Sequence, residues 1–265
     1  MKKLLSMLLA FIVSICCFGV FSSCAGNTIT VGYTDYPPMN YTDDSGKLVG
    51  FDTELAEKVF SDMGYKVRFK LIDWSNKYSE LNSGTIDCIW NGFTSNGDDD
   101  GVPRSESVDF TYNYMKNEQC IIRLKTSPDL TSTSGFSGKS VAFESSSAGE
   151  SYVEGITGAS INKKPKTSQM DAVRDVLAGT SQYAVVDLLL AKSVVGQADF
   201  ANIAINQGIK IAEEYYAIGF KKGSELTQKV NEKLVALGKS GYLKTLAEKY
   251  SLGYQVIVDF TDQMA

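Results

Sequence analysis

The sequence holds no histidine, which removes Ser-His-Asp and Cys-His catalysis, imidazole general bases and every His-containing zinc site. What can still do chemistry is a set of carboxylates, one arginine and a few short motifs, to be judged by spacing. Gly138-Lys139-Ser140 matches the end of a phosphate-binding loop, but Thr133 stands where its first glycine is required. Ser160-Ile161-Asn162-Lys163 fits the Ser-x-x-Lys of penicillin-recognising enzymes, yet no Ser-Asp-Asn or Lys-Thr-Gly follows. Asn96, Asp98, Asp100 and Gly101 have calcium-loop spacing, but Ser107 occupies the position of the bidentate glutamate, and a solvated acidic loop explains them. Ser147-Ala148-Gly149-Glu150 is a capping box, where free amides and the helix dipole favour an anion. Asp187 ends one apolar run and opens another, the place of a helix N-cap. No catalytic or metal-ligating constellation emerges, and no cofactor is expected.

Regular elements must position these residues, and from Thr28 the chain alternates period-two and period-3.6 patterns, as in a parallel sheet covered by helices. Strands are predicted over 28–33, over 66–72 with Val67, Phe69 and Leu71 on one face, and over 85–90. Between them Leu55, Ala56, Val59, Phe60 and Met63 form a one-sided stripe that predicts a helix over 53–63. After Cys120 the pattern restarts: a strand over 140–144, a helix from Ser147, a helix over 170–177, a strand over 183–186 and a helix over 188–195. The remainder predicts a strand over 216–221 and helices over 224–237 and 242–250, which must dock on an existing unit. The breaks near 116 and 214 lack linker composition, so two strands cross directly between two α/β units and form a hinge.

With 265 residues, 43% hydrophobic and 22% charged, the chain can bury a core. Lys2 and Lys3 precede an apolar run over 4–13, which reads as an export signal covering 1–23. Val20-Phe21-Ser22-Ser23-Cys24 resembles a bacterial lipobox, with Phe21 where an aliphatic residue is usual, so Cys24 is the expected lipidation site. A plain cleaved signal and an uncleaved anchor are the alternatives, and all three place the domain outside the cytoplasm. Losing Lys2 and Lys3 takes the net charge from −5 to about −7, which argues against nucleic acid as a partner. Cys16 and Cys17 leave with the signal; Cys88 and Cys120 remain, either paired or as buried free thiols.

Gly50-Phe51-Asp52-Thr53-Glu54-Leu55 with Val59 resembles the signature of the polar amino-acid branch of bacterial extracellular solute-binding proteins, the receptors of ABC importers. The resemblance extends to Gly32 with Tyr36-Pro37-Pro38-Met39, Trp74 with Leu81 and Asp87-Cys88-Ile89, and Arg104 with Val108-Asp109-Phe110. In the second half it includes Gly138-Lys139-Ser140-Val141, Ser145-Ser146-Ser147 and Ala184-Val185-Val186-Asp187, so it covers nearly all of 28–250. Phe60 departs from the small residue usual in the signature, and about five extra residues fall between Thr94 and Arg104. The resemblance implies a two-lobed periplasmic-binding-protein fold of type II, with lobe one from 27–115 plus 216–265 and lobe two from 116–215. It further implies hinge closure over a free polar amino acid (glutamine, a basic amino acid or cystine) that a monomeric receptor hands to a membrane permease. An exported dehydratase of the prephenate or arogenate type on the same fold, or a sensing module for a separate receptor, are the rival readings.

Carried onto this chain, the family site implies that Arg104 takes the ligand α-carboxylate through its planar fork. The alternative is a solvated arginine among Asp98, Asp99, Asp100 and Glu106. Backbone amides at Asn91 and Gly92 and the Thr94 hydroxyl would share that carboxylate, unless they are an ordinary strand-end turn. The helix start at Ser147 and Ala148 would approach it from the second lobe. Asp187 would hold the ligand ammonium, a role compatible with capping. Tyr36 and Trp74 would sandwich the ligand side chain, against core packing as the alternative. Glu144, or Asp35 from the first lobe, would set side-chain preference, while Asp52 and Asp87 read as structural.

Overall fold

The computed structural model describes residues 27–264; the export signal and Cys24 lie outside them. Apolar alternation places β1 (Thr28–Tyr33) in the first core, with Ile29 and Val31 buried. It is followed by β2 (Tyr41–Thr42), β3 (Leu48–Val49), α1 (Phe51–Asp62), β4 (Lys66–Leu71) and α2 (Lys77–Asn82). Then come β5 (Cys88–Ile89), the β6–β7 hairpin (Asp98–Asp99 and Val102–Pro103) and β8 (Asp109–Phe110). The stripe expected on α1 is real: Leu55, Ala56, Val59 and Phe60 are all buried. Gly50 starts this helix at φ 129°, where a Cβ would lie 2.2 Å from the Met39 carbonyl oxygen, so the backbone approach admits only glycine.

The second unit holds β9 (Met115–Leu124), β10 (Ser140–Glu144), α3 (Ala148–Glu154), β11 (Asn162–Lys166), α4 (Gln169–Leu177), β12 (Tyr183–Asp187), α5 (Leu188–Val194) and β13 (Ile203–Ile205). The chain returns through β14 (Glu213–Tyr216) to β15 (Gly219–Phe220), then ends in α6 (Glu225–Lys239), α7 (Tyr242–Lys249) and a tail. One sheet has the order β4-β1-β5-β15-β8, the other β11-β10-β12-β9-β13 with β14 also on β9. In each, three strands run parallel and the remaining pairings are antiparallel. The two-lobed α/β architecture expected from the sequence is therefore present.

One expectation needs correction, the strand over 216–221, and two further features were not foreseen. Leu71 is 62% exposed, because β4 is the edge of its sheet and only one of its neighbours covers it. The single strand expected over 216–221 is two: after Tyr216 the chain changes partners, Ala217 N–H donating to Phe93 O and Ile218 N–H to the Thr111 hydroxyl, before β15 joins the first sheet. The polar stretch Asn162–Lys166 forms edge strand β11, which period-two apolarity could not reveal.

The hinge is a ribbon rather than two separate crossovers. β9 and β14 pair antiparallel with Asn117 opposite Glu214 and Met115 opposite Tyr216. The C-terminal tail braces it, Lys116 N–H donating to Gln255 O at 2.8 Å and Ile257 N–H to Tyr114 O at 2.8 Å. Cys88 sits in the first sheet and Cys120 in the second; both are buried free thiols.

Candidate functional site

A narrow polar cavity, closed down to about 10 Å³ of free space, lies between the two sheets. From the first lobe it is lined by Trp74, Asn91, Gly92, Thr94 and Arg104, and from the second by Glu144, Ser147, Ala148, Gln169 and Asp187. Nine of the ten ligand residues expected from the sequence are thereby brought together. Tyr36 is not: its ring packs on Gly92 and its hydroxyl is 2.6 Å from that of Tyr216, which keeps it off the lining. Asp35 is also absent from the lining; it is half-buried, with Arg174 and Asp171 of α4 as its charged neighbours.

Arg104 is 1% exposed, so it is not a solvated surface arginine. Its Nε donates to Asp99 Oδ1 at 3.0 Å, its Nη1 reaches Thr94 O at 3.4 Å, and the guanidinium lies 5.5 Å over the Phe93 ring. Nη2 is 3.0 Å from the same Asp99 oxygen but lacks hydrogen-bond alignment with any acceptor. Asp99 comes from the acidic insertion, which folds as the β6–β7 hairpin turning at Asp100 (φ 54°) and Gly101 (φ 79°). The calcium-like spacing there is a hairpin in which Gly101 N–H donates to Asp98 Oδ1 at 2.9 Å.

Asp99 also accepts from the Tyr78 hydroxyl and lies 3.8 Å from Lys77 Nζ. Lys77 is buried; burial is the main cause that lowers its ammonium to about 8, with Asp99 opposing and Arg104 reinforcing. It donates across the cleft to Ser146 O at 2.9 Å. Ser151 Oγ donates to Asp98 O at 3.0 Å and Ser193 Oγ to Pro37 O at 3.0 Å, so the lobes are closed on one another.

The strand-end residues are committed differently from expectation. Gly92 N–H donates to Asp52 Oδ2 at 2.9 Å, so it is not free for a ligand carboxylate. Buried Asp52 also accepts from Tyr114, and burial raises its carboxyl to about 7. The Asn91 carboxamide ties Thr34 to Asn40. The Thr94 hydroxyl donates to Glu214 Oε2 at 3.1 Å. Ser147 caps α3 as the motif requires, its Oγ accepting from Glu150 N–H at 3.2 Å, while Glu150 reaches back to Ser146 N–H.

Asp187 occupies the N-cap position of α5 but makes no side-chain cap bond. Instead Oδ1 accepts from Asn117 at 2.9 Å and from Gln119, and Oδ2 from Gln169. Its own N–H donates to Gln169 Oε1 at 2.8 Å. Glu144, at the end of β10, is 3% exposed and its Oε1 has no donor. Burial, then Asp187, holds its carboxyl well above the ordinary range, with Lys77 and Arg104 acting against them. Trp74 is buried edge-on to Phe93 at 5.3 Å and presents its ring to Lys77 Nζ at 5.2 Å.

Sequence reasoning missed Lys77, Asp99, Asn117, Gln119, Gln169 and Glu214. Asn117 and Gln119 alternate within β9 and are both buried, so a polar i, i+2 pair inside a strand was the available signal. Glu214 sits in the run Glu213-Glu214-Tyr215-Tyr216, which carries no signal of burial.

Two closed α/β lobes joined by a strand ribbon, with a polar cavity at the carboxyl ends of their strands, define a solute-binding protein of the two-lobed type. Residues 29–253 match the family model of bacterial extracellular solute-binding proteins, family 3, and the chain belongs to that family. It is 25% identical to the arginine-binding extracellular protein ArtP of Bacillus subtilis (strain 168) over 260 residues, 96% of this chain and 99% of ArtP. Identity to the L-cystine-binding protein TcyJ of Escherichia coli (strain K12) is 25% over 230 residues, 84% of this chain and 82% of TcyJ. An ancestral arginine-binding protein solved with arginine superposes with a TM-score of 0.77 at 30% identity, covering 84% of this chain and 98% of that one.

Proposed function

We propose that this extracytoplasmic receptor of an ABC amino-acid importer closes its lobes over a free polar amino acid, Arg104 gripping the α-carboxylate and Asp187 the ammonium. One observation carries the reading: the cavity's two unsatisfied buried atoms are a donor, Arg104 Nη2, and an acceptor, Glu144 Oε1. Such atoms ask for a partner, and an amino acid supplies an acceptor at one end and donors at the other. Glu144 faces the side-chain end and Trp74 provides an aromatic wall, which suits arginine, glutamine or cystine; the relatives named for arginine and cystine support that range. Lobe one comprises 27–115 plus the segment from 216 onward, and lobe two 116–215, with the β9–β14 ribbon as hinge. The receptor works as a monomer, and Cys24 anchors it through lipid, two acyl chains being needed for firm retention.

Calorimetry of the mature protein with the twenty amino acids and cystine tests the reading. Micromolar binding, about 8 kcal/mol, is expected for at least one, and the reading fails if none binds below millimolar. Cys24→Ala is expected to release the protein from membranes, and retention overturns the anchor. The protein binds without turnover: prephenate absorbance is expected to stay constant, and its decay would assign the raised Glu144 carboxyl a general-acid role.

A further inference from the structure

Behind the cavity wall, on the hinge ribbon, Glu214 is 6% exposed and bonded to both halves of the site. Its Oε2 accepts from the hydroxyl of Thr94, a first-lobe lining residue. Its Oε1 accepts from Asn117 and, at 2.8 Å, from Gln119, and those same two carboxamide nitrogens also donate to Asp187 Oδ1. Two carboxyl groups thus share two NH2 donors, with no cation of the described residues paired to either. We propose that Glu214 is a positioning residue that keeps its own proton beside Asp187 and releases it to solvent when a ligand ammonium reaches Asp187.

Each NH2 group offers two hydrogens, enough to hold the two acids side by side but not to cancel two like charges in a site closed to water. A carboxyl so placed beside a second one keeps its proton. Burial, then Asp187, push the Glu214 carboxyl up to about 8, against Gln119 and Asn117. The other titratable groups facing the two acids are the phenols of Tyr36 and Tyr216 and, on the Asp187 side, the Glu144 carboxyl and the Cys120 thiol. On the Thr94 side, Arg104 is paired with Asp99. A ligand ammonium would replace the Glu214 proton as the positive partner. Affinity would therefore rise with pH, by up to about tenfold per unit, until Glu214 of the free protein is ionised. Because Glu214 bonds Thr94 as well, the loss would be transmitted to both lobes.

The inference rests on the amino-acid reading above, and its test separates the two. Mature wild-type protein, Glu214→Gln and Glu214→Asp are titrated with L-arginine, L-glutamine and L-cystine between pH 6 and 9, in two buffers of different ionisation enthalpy. The Glu214 carboxyl is followed by 13C NMR without ligand. The expected results are a wild-type resonance titrating above pH 7, release of about one proton per ligand at pH 7, no release and a flat affinity profile in Glu214→Gln, and partial recovery of release in Glu214→Asp. Circular dichroism confirms that the variants fold. Proton release unchanged in Glu214→Gln, or a wild-type carboxyl titrating near 4.5, its unperturbed value, overturns the inference while leaving the amino-acid reading intact. Failure of every ligand to bind wild type removes that reading, and the coupled release with it.

Discussion

At the first-lobe end of the cavity the buried cation, Arg104, has its own counter-ion in Asp99, whereas at the other end Asp187 and Glu214 are held by carboxamides and a hydroxyl alone. The first end is therefore partly compensated before any ligand arrives, two cations, Arg104 and Lys77, sharing the one carboxylate of Asp99. The second gathers three carboxyl groups, Asp187, Glu214 and Glu144, the latter two pushed up by burial and by Asp187, and among the described residues no cation is paired with Asp187 or Glu214. On the proposed reading, a zwitterion meets a prepared donor at one end and supplies the missing positive partner at the other. The acidic insertion accounts for the difference: it delivers Asp99 to Arg104 and Lys77 and bonds the opposing lobe through the Asp98 carbonyl.

The largest effect is expected where the ligand carboxylate has no substitute donor. Arg104→Met should weaken amino-acid binding by about a hundredfold or more, since charge-assisted bonds contribute about 1.5–3 kcal/mol each, and calorimetry giving less than tenfold would show that another donor dominates. Asp187→Asn should cost roughly tenfold to a hundredfold for the same reason at the other end, less than Arg104→Met because the Glu214 carboxyl remains behind the ammonium.

Removing the counter-ion should act mainly on the fold. Asp99→Asn leaves Arg104 and Lys77 as buried like charges, and with Asp99 27% exposed a loss of about 1–2 kcal/mol in urea unfolding is expected. An unchanged midpoint would mean that water, not Asp99, neutralises the pair.

The acidic end should make ligand-free stability depend on pH. Asp52 and Glu214 have folded values raised to about 7 and about 8, so the folded state binds more protons than the unfolded one above their ordinary range. Their contribution is complete below about pH 4 and is lost as pH rises through 7 and 8. Tm should fall between pH 5 and pH 8, and Asp52→Asn should flatten the part below pH 7; a Tm rising over that interval contradicts both assignments. The smallest change in binding is expected from Tyr36→Phe. Affinity should shift by less than about threefold, while the unpaired Tyr216 hydroxyl lowers stability by about 1 kcal/mol.

Much of the fold was legible because it rests on local periodicity. The stripe on α1, strands β1 and β10, and the Ser147 cap follow from neighbouring residues alone, and burial then merely selects the apolar face. Nine lining residues were also named from motif order, but their bonding was not. Gly92 spends its N–H on Asp52 across forty positions, and Asp187 leaves its helix uncapped to meet Asn117 seventy positions away. Edge strand β11 escaped notice because an exposed strand needs no apolar alternation.

By itself, then, the sequence determined the alternation of strands and helices, the two-unit organisation and the chemical types available at strand ends, since each depends on residues a few positions apart. Only the tertiary structure decided that the inserted hairpin would neutralise Arg104, that Lys77 would latch onto the second lobe, and that Glu214 would join Asp187. Those outcomes depend on which distant charges are buried together away from water, and the free energy of a buried charge is set by its spatial neighbours, not by its place along the chain.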